Sequence, residues 1–153
     1  MDKKALIALI NKALADEWLS YYRYWVGAKV IVGKMKEQVA TELEEIATAE
    51  LKHAGLLVDK IIKLGGTPIL KPNDWCKTAN CVYDVPKAFS IKAVLFQNIK
   101  SEQCTIDAYK KLVNITKRKK PTISELLKSI LEEEIEHKDD LINMAEHMEI
   151  AKS

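Results

Sequence analysis

The sequence predicts an all-α protein: a four-helix bundle with one long crossover between its second and third helices. Three observations carry that expectation. All 4 prolines, and the glycines at 33, 65 and 66, fall between long segments whose apolar residues recur every three or four positions. There are four such segments. The first and second, like the third and fourth, are separated by a short link, whereas about 20 residues separate the second from the third, which is the pattern of a bundle with a single crossover.

Residues 3 to 32 form the first segment, with Leu6, Ile10, Glu17, Tyr21, Tyr24 and Ile31 along one side and Gly33 as the stop. The second runs from about Met35 to Leu64 on a seam of Val39, Leu43, Ile46, Glu50, His53, Leu57 and Leu64, and Gly65-Gly66 followed by Pro68 ends it. So short a link makes the two an antiparallel hairpin. Residues 65 to 85 hold Pro68, Pro72, Asn73, Asp74 and Asn80 and read as a connection. Fully extended, some 20 residues span about 65 Å, enough to return along the bundle with room for a short helical turn. A third helix begins near Pro86 or Ser90 and carries Leu95, Glu102, Ile106, Tyr109 and Val113. After the Lys-rich turn, Thr122-Ile-Ser-Glu125 reads as a capping box opening a fourth helix, whose seam is Leu127, Ile130, Glu134, His137, Leu141, Met144 and Met148.

Composition excludes several classes. At 153 residues the chain is most simply one domain, 1–153, and with 48% apolar and 30% charged residues it is not a disordered chain. A formal charge of +2 gives no reason to expect DNA or membrane binding, and the KRKK stretch at 117 to 120 reads as a solvated loop. The apolar run in MDKKALIALINK is too short for a signal peptide, and no run approaches the ~18 residues of a membrane span, so the expected location is cytoplasmic. Cys76, Cys81 and Cys104 form no C-x-x-C, which removes zinc ribbons and rubredoxin-type sites.

Each seam is interrupted near its middle by an ionisable group: Glu17; Glu50 with His53; Glu102; Glu134 with His137. An unpaired buried carboxylate costs several kcal/mol, and four facing one another must protonate or share cations. Glu-x-x-His, written in ELKH at 50 to 53 and EIEH at 134 to 137, places both side chains on one helical face, within reach of one ion. Two divalent cations would match the four carboxylates, with one imidazole each, and such oxygen-rich ligation suits iron or manganese. Glu17 precedes Glu50 by 33 residues and Glu102 precedes Glu134 by 32, so each hairpin offers an equivalent half-site. The neighbours Glu132, Glu133 and Glu136 read as solvated.

This pattern resembles the ferritin-like superfamily over residues 3 to 149. ELKHA at 50 to 54 and ILEEEIEHKDDL at 130 to 141 are similar to the second- and fourth-helix signatures of bacterioferritins, and LADEWLSYYRYW and the stretch from Glu102 to Tyr109 to the first and third. The resemblance implies two iron ions per subunit, with manganese or zinc as substitutes, on Glu17, Glu50, His53, Glu102, Glu134 and His137, Glu50 and Glu134 bridging. Leu51 stands where bacterioferritins carry the haem-binding methionine, so no haem is expected.

DWCKTANCVYDVP at 74 to 86 with SEQC at 101 to 104 resembles the Dps-like thioferritins. In that pattern Cys81 partners Cys104 as a redox pair; the alternative is that the cysteines are small buried side chains, and Cys76 has no assigned role. The resemblance further implies a ferroxidase that consumes hydrogen peroxide, or oxygen, and stores iron in a hollow homo-oligomer of 12 subunits. Two other readings stand beside it: a rubrerythrin-like di-iron or di-manganese peroxidase or catalase without storage, and a non-enzymatic helical interaction module. Tyr21, Tyr24 and Trp25 are either core or interface aromatics or an electron relay near Glu17.

Overall fold

The computed structural model describes residues 1–152, with side chains as far as Met148; Ser153, the last residue of the expected domain, lies outside them. Four long helices, α1 (Lys3–Val30), α2 (Lys36–Lys63), α4 (Ile91–Thr116) and α5 (Pro121–Lys152), account for most of the chain, and a short α3 (Trp75–Thr78) sits in the crossover. α1 packs chiefly on α2, and α4 on α5, so the bundle is two hairpins laid together.

The helix ends follow from local chemistry. Asp2 caps α1 by accepting from the Ala5 N–H at 2.7 Å, and Ser90 caps α4 by accepting from Ala93 at 3.1 Å. α2 ends in a Schellman motif: Gly65, at φ +80°, donates to the Ile62 carbonyl and Gly66 to that of Ile61, each at 2.9 Å. The α1–α2 link is tight because Gly33 and Met35 take positive φ, 128° and 66°. The expected capping box at Thr122 does not form. α5 starts at Pro121, and the Ser124 N–H bonds to the Lys120 carbonyl, so Pro121 fills the first helical position, where its missing N–H costs nothing and its φ is already helical.

The crossover is anchored to α1 by polar residues that interrupt its apolar pattern. Asn11 donates to the Thr67 carbonyl and accepts from the Ile69 N–H. Asp16, buried, accepts from Asn80 at 2.8 Å and from the Cys81 N–H at 3.0 Å, while Trp18 stacks on Trp75 with ring centroids 5.3 Å apart. Val32 pairs with Ser90 in an isolated parallel bridge that closes the other end.

The apolar interior is divided in two. One cluster gathers Leu6, Ile10, Leu57, Ile61, Leu127 and Ile130; the other gathers Ile31, Val39, Leu43, Leu95 and Leu141. Between them lies a layer of buried polar side chains. No helix among the described residues is long and apolar enough to cross a membrane.

Candidate metal centre

All six residues singled out by the seam argument meet in that layer. Glu17, Glu50, Glu102 and Glu134 are at most 1% exposed, His53 is 1% and His137 9%. Their potential donor atoms form two sets. Glu17, Glu50, His53 and Glu134 bring one atom each to within 4.8 Å of the others, and Glu50, Glu102, Glu134 and His137 do the same. Glu50 and Glu134 belong to both sets. The helical i, i+3 offset places each histidine beside its own glutamate, and the antiparallel hairpins bring the two halves face to face.

Glu17 and Glu102, which belong to one set each, are each held by a tyrosine from another helix. Tyr109 donates to Glu17 Oε1 and Tyr24 to Glu102 Oε1, both at 2.6 Å. These bonds occupy the outer oxygens. Glu17 Oε2, Glu102 Oε2 and both oxygens of Glu50 are buried with no hydrogen bond. Glu50 Oε1 does approach His137 Nδ1 to 3.1 Å, but off the line of a hydrogen bond. Four bare carboxylate oxygens in one dry layer form an incomplete arrangement, since each unsatisfied buried group costs about 1–3 kcal/mol and charged ones more. The donor set, oxygen-rich with one imidazole per half, fits a pair of divalent cations.

Electrostatics point the same way. Burial, followed by the neighbouring Glu134, lifts Glu17 to about 7. Burial together with Glu134 likewise pushes Glu50 and Glu102 well above the usual carboxylate range. Glu134 is opposite in sign. Burial alone would raise it, yet the hydrogen bonds of His137 and His53, with the neighbouring Glu102 carboxyl, hold it well below the ordinary value. Burial would also depress His53, but its hydrogen bond to Glu134 and the Glu17 carboxylate 3.4 Å from Nδ1 lift it to about 11. Without cations, then, burial favours the protonated forms of Glu17, Glu50 and Glu102, while Glu134 and His53 support each other's charged forms.

Sequence reasoning missed three participants. Glu133, expected to be solvated, has its Oε2 2.5 Å from His53 Nε2, which turns Nδ1 of that ring inward, 3.0 Å from Glu134 Oε1. Its neighbour Glu134 drew the attention, although a carboxylate one position away can still cover the outer nitrogen of a histidine on the facing helix. Tyr109 was legible only as a seam residue and Tyr24 only as one of several aromatics; no spacing rule marks either as a carboxylate donor. Tyr21 is half-buried and Trp25 exposed, and neither has a hydrogen bond to any of the six residues among those described. Cys81 and Cys104 are joined as a disulfide with Cα atoms 6.0 Å apart, and Cys76 is exposed and free. Cys104 lies two residues beyond Glu102 and on another side of α4, so the disulfide flanks the centre without facing it.

Fold and centre together define a carboxylate-histidine four-helix bundle. The ferritin-like domain family matches residues 7–151, and the chain belongs to that family. Among solved structures it is similar to the dodecameric thioferritin of Bacteroides fragilis, a bacterioferritin-related protein, at 44% identity and a TM-score of 0.96, covering 99% of this chain and 90% of that one. It is 30% identical over 139 residues to the DNA protection during starvation protein of Pyrococcus furiosus, covering 90% of this chain and 75% of the relative. It is 25% identical over 149 residues to a bacterioferritin of Desulfovibrio desulfuricans, covering 96% and 78%.

Proposed function

We propose that the protein is a ferroxidase: Fe(II) is its substrate, bound in pairs on Glu17, Glu50, His53, Glu102, Glu134 and His137, and the oxidised iron is stored inside a hollow homo-oligomer. The observation that carries this reading is the sharing of Glu50 and Glu134 between two four-residue sets in which four buried oxygens, of Glu17, Glu50 and Glu102, lack hydrogen bonds.

The division of labour follows from the contacts. Glu50 and Glu134, common to both sets, would be the carboxylates shared between two bound cations. Glu17 and Glu102 serve one half each, their tyrosine-bonded oxygens fixed and their bare oxygens directed inward. His53, held by Glu133, and His137 present Nδ1 to the centre. Buried apolar clusters on both sides exclude water and keep the carboxylates from collapsing onto other partners. A pair of Fe(II) ions supplies two electrons together, so that hydrogen peroxide and two protons become two waters with no hydroxyl radical released. The protons stored on the carboxyls of the unloaded layer leave as the cations replace them.

The dodecameric assembly of the Bacteroides relative supports a shell of 12 subunits here. Peroxide as preferred oxidant rests on the resemblance to thioferritins, and the absence of haem on Leu51, which is exposed beside Glu50. The test is anaerobic Fe(II) loading followed by peroxide or oxygen, with absorbance and particle mass followed together. Two rapidly oxidised irons per subunit and a particle that gains mass are expected. In the Glu50→Ala/Glu134→Ala protein, oxidation should slow to the rate of iron in buffer. Rapid oxidation retained in that variant would eliminate the mechanism, and a particle that turns over peroxide without gaining iron would favour a peroxidase.

A further inference from the structure

A groove of about 780 Å³ runs beside α4, between the crossover and α5. Cys104 lines it, and its disulfide partner Cys81 does not. Cys81 sits on the crossover side, its N–H held by Asp16. Lys100, Lys111 and Lys138 line the same groove, against a single carboxylate, Asp107. Lys138 is bonded to Gln103, whereas Lys100 and Lys111 are exposed and make no ion pair with any described residue. The lining charges therefore sum to a net +2, three lysines against one aspartate.

That combination is specific. A disulfide cysteine lining a cleft is open to attack by a thiolate, and surrounding ammonium groups favour the thiolate form and draw in molecules that carry further negative charge. The volume falls in the range of small-molecule sites, about 300–1,000 Å³, and suits a molecule of tripeptide size. We propose that this groove is a binding site for a small anionic thiol that reduces the Cys81–Cys104 disulfide, with attack directed to Cys104. The thiolate forms a bond to Cys104 Sγ as the Sγ–Sγ bond breaks, and the electron pair leaves on Cys81 Sγ, which takes up a proton. A second thiolate then attacks the bound thiol's sulfur and releases Cys104. Two small thiols are oxidised to their disulfide, and the protein disulfide is reduced by two electrons. Nothing in this site depends on iron, so it stands or falls separately from the ferroxidase reading.

The test uses the assembled, full-length protein without iron, with glutathione as the anionic probe and cysteamine as the cationic one. Partial reduction is quenched with iodoacetamide and the peptides are weighed. The expected result is glutathione on Cys104 and the alkyl group on Cys81. The ratio of the glutathione rate to the cysteamine rate cancels the intrinsic reactivity of the protein disulfide, and it should fall about tenfold in Lys100→Glu/Lys111→Glu and shrink in high salt for the native protein. Lys100→Gln/Lys111→Gln, which only removes charge, should give an intermediate ratio and serves if the glutamate variant does not fold. A ratio unchanged in both variants, mixed disulfide found chiefly on Cys81, or resistance of the assembled protein to both thiols would overturn the proposal.

Discussion

Glu133 and Glu134 are adjacent in the chain and face different tasks, because successive helical positions differ by about 100° around the axis. Glu134 points into the layer between both histidines, while Glu133, its side chain 40% exposed, reaches the outer nitrogen of His53 from the rim. An outer carboxylate of this kind fixes the ring orientation, and its loss typically weakens metal affinity 10- to 100-fold. Glu133→Ala should therefore weaken Co(II) binding by that factor, read from the visible absorbance of the titrated protein; an unchanged affinity would show that His53 is oriented without it. A second expectation follows from the stored protons. Burial raises the carboxyls of Glu17, to about 7, and of Glu50 and Glu102, well above the usual carboxylate range, and His53 stands at about 11, so the layer retains protons near neutrality. Cations must displace those protons, so binding strengthens as pH rises through this region. Zn(II) titrated into weakly buffered protein at pH 7 should release protons, measurable with an indicator dye. A titration that leaves the pH unmoved would contradict the charge assignment.

At the scale of single elements, the helix ends separate real caps from apparent ones. Ser90 is an N-cap with a bond to Ala93, whereas Thr122 lies inside α5 and is exposed. Ser90→Ala should cost about 1 kcal/mol of stability in denaturant unfolding, and Thr122→Ala less than about 0.5 kcal/mol, close to the background for a surface change. The reverse ranking would restore the capping-box reading. The capping expectation failed because the S/T-x-x-E pattern would start the helix at Ile123 and Pro at the first helical position starts it two residues earlier, at Pro121, and here proline geometry won. The crossover gives a second lesson. Asn11 and Asp16 carry no local signal of a partner, yet they hold the connection against α1. Their partners lie 56 to 65 residues away, beyond the reach of any local pattern.

Across the whole molecule, the acidic layer is a deliberate interruption of a core that is otherwise apolar on both sides. Bare carboxylate oxygens there destabilise the cation-free fold, and bound cations should offset that cost. At a hundredfold excess over Kd, a ligand binding only the folded state contributes about 2.7 kcal/mol per site, which for a domain of this size raises Tm by about 5–10 °C. Scanning calorimetry of Zn(II)-loaded and chelated protein should show that rise. Its absence in native protein, or its persistence in Glu50→Ala/Glu134→Ala, would count against the centre as the stabilising site.

The four-helix architecture, the single crossover and the six seam residues could be read without coordinates, because helical periodicity makes a charged residue on an apolar seam conspicuous and Gly and Pro mark the boundaries. Which oxygens stay bare, which tyrosine steadies which glutamate, and that Glu133 rather than Glu132 or Glu136 reaches His53 were settled only in three dimensions. The physical reason is range. Periodicity reports which face of its own helix a residue occupies, whereas these pairings join side chains 78 to 92 positions apart and depend on how two hairpins are rotated and slid against each other.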